Sequence, residues 1–240
     1  MNLADKIAEW IKNQVEKTGK KGVVVGLSGG IDSAVVAILS KRAMGDNVLG
    51  LLLPCQSSAK DLELAGKLAD KFCIRRKTVE LDGMFAEAVK SCEYGNKLAR
   101  ANLKPRLRMA ILYYFANSLD YIVAGTGNKS ELTIGYFTKY GDGGVDMLPI
   151  GGLLKTEVRK LASQIGVPEE IIKRPPTAGL WDGQTDESEI GITYELLDKV
   201  ILAVEGKRTE GIDKKILKKV KDMMEISEHK RCGIPVFQKN

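Results

Sequence analysis

The stretch "VVVGLSGGIDSAVVAIL", Val23 to Leu39, places Gly26, Ser28, Gly29, Gly30, Asp32 and Ser33 between two apolar runs. Glycines between a strand and a helix expose backbone N–H groups, and backed by a helix N-terminus these bind anionic oxygens. A plain turn, with Ser28 or Asp32 capping the helix, needs fewer glycines and serines. The loop is neither GxxxxGK[ST] nor GxGxxG, so it lacks its own lysine. Asp32 repels a phosphate unless a cation lies between them. The loop therefore predicts a hard divalent ion, Mg²⁺, shared by carboxylate and phosphate oxygens. The predicted phosphate cradle is Gly26, Leu27, Ser28, Gly29, Gly30, Ile31, Asp32 and Ser33.

"SGGIDS", Ser28 to Ser33, resembles the pyrophosphate-binding loop of the N-type ATP pyrophosphatases. That superfamily splits ATP between its α and β phosphates, adenylates a carbonyl oxygen, and lets a nitrogen or sulfur nucleophile displace AMP. Five later stretches narrow the acceptor: "NLKPRLRM" (102–109), "GTGNKSE" (125–131), "GYFTKYGDGGVDMLPI" (135–150), "PPTAGLWDGQTDE" (175–187) and "HK" (229–230). In this order, over nearly the whole chain, they resemble the ammonia-dependent NAD synthetase family. The resemblance implies a single synthetase domain over 1–240, without a glutaminase domain, that adenylates and then amidates deamido-NAD. It also implies the roles of individual residues. Thr126, Lys155 and Thr177 would join the glycine loop on ATP, and Asp32 and Glu131 would bind Mg²⁺. Arg106, Tyr113, Lys139, Asp146, His229 and Lys230 would contact deamido-NAD, with Asp142 beside the incoming ammonia. Lys155 and Asp142 would be the catalytic pair. The family's homodimer would bring Tyr113 to the neighbouring subunit's ligand.

The residue chemistry is compatible with these roles. Charge develops on the α-phosphorus and on departing pyrophosphate, and Lys155 with a divalent ion can stabilise it. A lysine at a helix start opposes the helix dipole, which argues against a merely solvated Lys155. Glu131 in "SELT" reads equally well as a helix-capping acid. Asp142 or Asp146 can bind ammonium and accept its proton, while "GDGG" also reads as a simple turn.

The elements that must hold these residues alternate. Leu3, Ile7, Trp10, Ile11 and Val15 recur at helical spacing, and Gly19 ends that helix. Strands are predicted at Val23–Leu27, Val48–Leu53, weakly at Thr78–Leu81, and at Tyr121–Ala124. Helices are predicted at Ser33–Met44, Ser58–Phe72, Met84–Cys92, Pro105–Leu119 with Pro105 in the first turn, Thr156–Ile165, Pro168–Lys173, Ile190–Val204 and Asp213–Ser227. Uninterrupted apolar strands alternating with helices predict an α/β fold, a parallel sheet with helices on both faces, of Rossmann-like adenine nucleotide α-hydrolase type by resemblance. Ligands then bind beyond the carboxyl ends of the strands, where the glycine loop and Gly125–Thr126–Gly127 both fall. The irregular stretches 125–155 and 174–187 read as lids that shield an acyl-adenylate from water.

Composition restricts the rest. The 240 residues carry a net charge of +6, dispersed except at Arg75–Lys77 and Lys214–Lys221. The second run reads as a solvated helix face, so no nucleic-acid partner is expected. No run approaches the roughly 18 apolar residues of a membrane span. The amphipathic N-terminus is not a signal peptide, and a cytoplasmic location is expected. Cys55, Cys73, Cys92 and Cys232 form no CxxC pair, the single histidine is His229, and the thiols are expected to be reduced and mostly buried. Two rivals remain: a tRNA-thiolating enzyme of the same superfamily, disfavoured by the missing paired cysteines, and a stress-protein-type nucleotide-binding module, which has little use for Asp32, Glu131 and an ammonium loop.

Overall fold

A computed structural model describes residues 1–179, 181, 183–206 and 211–238. Four short strands, β1 (Gly22–Gly26), β2 (Val48–Leu52), β3 (Arg75–Thr78) and β4 (Tyr121–Ala124), form one parallel sheet in the order β3-β2-β1-β4. Val23 stands opposite Val48 on one side and Ile122 on the other, so β1 is hydrogen-bonded along both edges. Its side chains divide between two apolar layers. Val23 and Val25 face the layer of α1 (Leu3–Lys17), α2 (Ile31–Met44), α3 (Ala59–Lys71) and α7 (Lys155–Gln164). Val24 faces α4 (Asp82–Ser91) and α5 (Lys97–Leu119). Burial on both faces explains the unbroken valine run, at roughly 1.5–3 kcal/mol per buried side chain. A third apolar cluster joins the end of α6 (Lys129–Ile134) to α10 (Tyr194–Glu205) and α11 (Lys214–Ile226). Short helices α8 (Glu169–Ile172), α9 (Asp186–Ile190) and α12 (Glu228–Arg231) complete the elements.

Several expected boundaries shift for local reasons. The weak strand lies at Arg75–Thr78, not Thr78–Leu81. Its exposed Arg-Arg-Lys-Thr occupies the sheet edge, where charge discourages further pairing and no apolar run is required. The long helix begins at Lys97 with Asn96 as its cap, so Pro105 lies inside it, buried, rather than in its first turn. The interior proline removes one ladder bond, and its ring packs on the turn at Gly141. The helix expected from Ile190 begins instead at Tyr194 with Thr193 as its cap, and Ile190 ends a separate short helix, α9, closed by Gly191 at φ 73°. The 125–155 stretch contains α6. Trp10 is 41% exposed and Leu3 43%, so only Ile11 and Val15 of that stripe are core. Cys55 is buried, but Cys73, Cys92 and Cys232 are exposed, against the expectation of mostly buried thiols. Among the described residues no helix is long and apolar enough to cross a membrane.

β1 and β4 end side by side, and the chain leaves β1 toward β2 in the opposite direction from β4. This strand-order reversal opens a crevice at their carboxyl ends. The glycine loop follows β1 there, and Gly125–Thr126–Gly127 follows β4.

Candidate active site

Gly30, not Ser28 or Asp32, is the N-cap of α2, and it makes no side-chain cap bond. The two serines brace the loop instead. Ser33 Oγ donates to Gly30 O at 2.9 Å and accepts from Ser28 N at 3.2 Å. Ser28 Oγ accepts from Gly30 N at 3.2 Å and donates to Ser33 Oγ at 3.0 Å. The loop is thus held in shape by its own hydroxyls, at the positive end of a 14-residue helix. Asp32 is left to turn toward a partner across the cleft.

That partner is Lys155, the first residue of α7 and only 2% exposed. Its Nζ lies 2.5 Å from Asp32 Oδ2 and 3.0 Å from Glu131 Oε1, so one ammonium joins two carboxylates. The lysine tolerates the unfavourable end of its helix because both acids face it. Its backbone N–H donates to Ser130 Oγ at 2.9 Å. Ser130 in turn bonds Asp198 of α10, which also accepts from Thr156 N at 2.9 Å. Glu131 fills its anticipated capping role and also pairs with Lys155. Oε2 completes a capping box with Asn128 at the start of α6, while Oε1 takes Lys155. Asn128 Nδ2 also donates to Asp32 Oδ1 at 3.0 Å, fixing that carboxylate. Burial pushes the Glu131 carboxyl up to about 7, against the pull of Lys155. For Lys155 burial acts downward, but the Asp32 and Glu131 charges outweigh it and hold the ammonium above the ordinary lysine value.

A cleft of about 590 Å³ opens over this triad. Its walls include Gly26, Leu27, Ser28, Gly30, Ile31, Asp32, Thr126, Glu131, Asp142, Lys155, Thr177 and Lys230. Gly29 and Ser33, which complete the expected cradle, do not line the cleft. Asp142 Oδ1 accepts from Thr138 N at 2.9 Å, and burial raises its carboxyl. Lys230 Nζ donates to Gly135 O and Phe137 O at 2.8 and 3.0 Å, and burial lowers its ammonium. The remaining expected dinucleotide residues gather outside the cleft in two groups. Arg106 Nη2 donates to Lys139 O at 3.4 Å, and Lys139 Nζ to His229 O at 2.5 Å. Tyr113 Oη donates to Asp146 Oδ1 at 2.8 Å, and Asp146 Oδ2 takes Val123 N at 2.7 Å.

The structure adds groups that the sequence reading left without roles. Tyr194 and Asp186 adjoin the Lys155 triad. Arg108 spans Leu53 O and Ser57 Oγ on the cleft wall, at 3.0 and 3.2 Å. Arg174 is paired with Asp61, joining the 174–187 stretch to the first turn of α3. Asp186 lies inside the 175–187 motif and Arg174 immediately precedes it, so both were within reach of the sequence. Tyr194 reads only as an apolar helix residue. Leu180 and Asp182 of the 175–187 motif lie outside the described residues.

A family model described as NAD synthase matches residues 3–233. A relative from Carboxydothermus hydrogenoformans, named an NH₃-dependent NAD⁺ synthetase, is 47% identical over 95% of this chain and 93% of its own. Among solved structures, an NMN synthetase from Francisella tularensis superposes with TM-score 0.91 at 34% identity, covering 98% of this chain and 97% of its own. An NH₃-dependent NAD synthetase from Campylobacter jejuni superposes with TM-score 0.86 at 31% identity, over the same shares of the two chains. Fold and site together define an α/β protein of the adenine nucleotide α-hydrolase type. The chain belongs to the NAD synthase family.

Proposed function

We propose that this chain, acting as one synthetase domain and as a cytoplasmic homodimer, amidates deamido-NAD to NAD with ammonia and ATP, releasing AMP and pyrophosphate. The observation that carries the reading is the buried Lys155 ammonium held by Asp32 and Glu131 at the mouth of a lysine-free glycine loop, in a chain of this family. The loop N–H groups would take the β and γ phosphates, with Thr126 and Thr177 hydroxyls on neighbouring oxygens. A carboxylate oxygen of the nicotinate ring attacks the α-phosphorus, and the bond to pyrophosphate breaks. Lys155, drawn toward the phosphates, stabilises the charge that develops there without reorganising water.

Among the described residues no cluster of three or more His, Cys, Asp or Glu forms a metal cage. Asp32 and Glu131 nevertheless supply an all-oxygen pair facing the phosphate loop, which fits Mg²⁺ bound jointly by protein and substrate phosphates. When bound, Mg²⁺ would neutralise phosphate charge. Arg106, Lys139, Asp146, His229 and Lys230 would receive the dinucleotide where the cleft opens onto the surface. Tyr113 would meet the ligand of the second subunit.

In the second half-reaction nitrogen attacks the adenylated carbonyl, and the carbon–oxygen bond to AMP breaks. Asp142, in the cleft wall, would hold ammonium and take its proton. Asp142→Asn is expected to raise the KM for ammonium about tenfold, the weight of one charge-assisted hydrogen bond, with the KM for ATP unchanged. Steady-state assays with limiting ammonium check this, and an unchanged ammonium KM would return Asp142 to its turn-forming role.

The activity itself is tested by supplying ATP, Mg²⁺, ammonium and either deamido-NAD or nicotinate mononucleotide. NAD with stoichiometric AMP and pyrophosphate is expected. ADP as product would refute the reading. Preferential turnover of the mononucleotide would overturn the dinucleotide assignment while keeping the amidation.

A further inference from the structure

Tyr194 is fully buried, yet its polar atom faces the charged site rather than the core. The side chain is placed by α10, whose other inward residues Leu197, Val200 and Ile201 belong to the third apolar cluster. Its ring lies under Lys155 Nζ, 4.9 Å from nitrogen to centroid. Its hydroxyl is 3.2 Å from Glu131 Oε1 and 3.0 Å from Asp186 Oδ2. Its backbone N–H donates to Glu187 Oε1 at 3.0 Å. One residue therefore touches α6, α7 and α9 at once. A phenol has a single proton, so it donates to one carboxylate and stands close to the second. Two further groups extend the chain. Tyr136 Oη lies 3.3 Å from Asp186 Oδ1 and also bonds Glu189, and Gln184 Nε2 donates to Glu189 at 2.6 Å.

Ordinary core packing does not account for this arrangement. A buried tyrosine needs one hydrogen-bond partner, and a backbone carbonyl would serve. Here the hydroxyl bridges a carboxylate that holds the cleft lysine and one that begins the α9 segment. The electron-rich ring face gives the same ammonium a further favourable contact when it is not fully claimed by acids.

We infer that Tyr194 is a positioning residue for the phosphate end of the site: it holds Glu131 and Asp186 in register with Lys155, so that α6, α7 and α9 present their charges to a bound nucleotide as one rigid unit. The inference rests on reading Lys155 as an ATP-binding group and Glu131 as a ligand of the Mg²⁺ that accompanies it.

Tyr194→Phe keeps the ring beneath Lys155 and removes only the hydroxyl. Calorimetric titration with Mg²⁺ and α,β-methylene-ATP reads binding without turnover, so it remains decisive whatever the acceptor substrate proves to be. The Kd is expected to rise about tenfold, matching loss of one hydrogen bond to a charged group. In the steady state the KM for ATP should rise similarly, while the KM for ammonium stays within about twofold, the scale of context-dependent scatter. A lower melting temperature with an unchanged Kd would show a merely structural tyrosine and overturn the inference. A uniform loss across all substrates would overturn it too. If the phenylalanine variant does not fold, Asp186→Asn removes the bridged charge while leaving the ring in place, and the same selective rise in Kd is required of it. Wild-type protein that binds the analogue but makes no NAD would refute the proposed reaction and leave the role of Tyr194 standing.

Discussion

Lys155→Met is expected to reduce NAD formation about a thousandfold, the upper range for removing one preorganised charge donor at a transition state. The ammonium is buried, and Asp32 and Glu131 hold it beside the phosphate loop. Methionine retains the length and fills the space, so the loss reports charge rather than packing. A second signature should follow in stability. Breaking a buried pair leaves uncompensated carboxylates, and destabilisation of about 3 kcal/mol is expected at pH 8. Glu131 is already raised to about 7 by burial, with Lys155 opposing that rise. Without the lysine it holds its proton to still higher pH. Between its unfolded value near 4.5 and its folded value the native state binds a proton that the unfolded chain does not. Stability from this group is therefore fully present below 4.5 and is lost as pH rises through the folded value. Melting curves at pH 5, 6, 7 and 8 should show the variant recovering on acidification more steeply than wild type. A variant that keeps a third of the wild-type rate, or melts earlier toward acid, would contradict the role assigned to Lys155.

The chemistry was legible to different depths. β1, β2 and β4 announce themselves because strands buried on both faces must be apolar throughout. β3 does not, since an edge strand can be Arg-Arg-Lys-Thr and still take its register from β2. For α5 the sequence points to a start at Pro105, because proline favours a first turn. The capping Asn96 and the helix formers from Lys97 onward carry the actual start. Within the site, the glycine loop and the charge conflict at Asp32 are local facts of sequence. The closure of Asp32 on Lys155 spans 123 positions and needs the strand-order reversal that sets the ends of β1 and β4 together. Only resemblance named Lys155 beforehand. Tyr194 gave no signal at all, because an apolar helix position and a buried network position look alike in one dimension.

Gly29→Ala should be the other severe substitution, although it removes no functional group. Gly29 adopts φ +78°, a region that non-glycine residues enter at a penalty of roughly 1–2 kcal/mol. A methyl there would also lie 2.5 Å from Asp61 O and 3.1 Å from Asp61 Cα. Those atoms are backbone, in the first turn of α3, where Asp61 N donates to the capping Ser58 at 3.2 Å. The same aspartate is ion-paired with Arg174. Relief of the clash therefore displaces either α3 or the phosphate loop, and with the loop go the Ser28 and Ser33 bonds that aim its N–H groups. A shift of about 1 Å at such a site is worth about a hundredfold in kcat/KM, and the loss is expected in the KM for ATP. Gly83→Ala is the matching control. It lies in the first turn of α4, with nothing within 4 Å of the added carbon, and is expected to be neutral or stabilising by roughly 0.5–1 kcal/mol. Thermal melts and ATP titrations on the two variants separate the effects. A wild-type ATP KM in Gly29→Ala would mean that the loop accommodates a side chain, and the backbone cradle would lose its claim on phosphate.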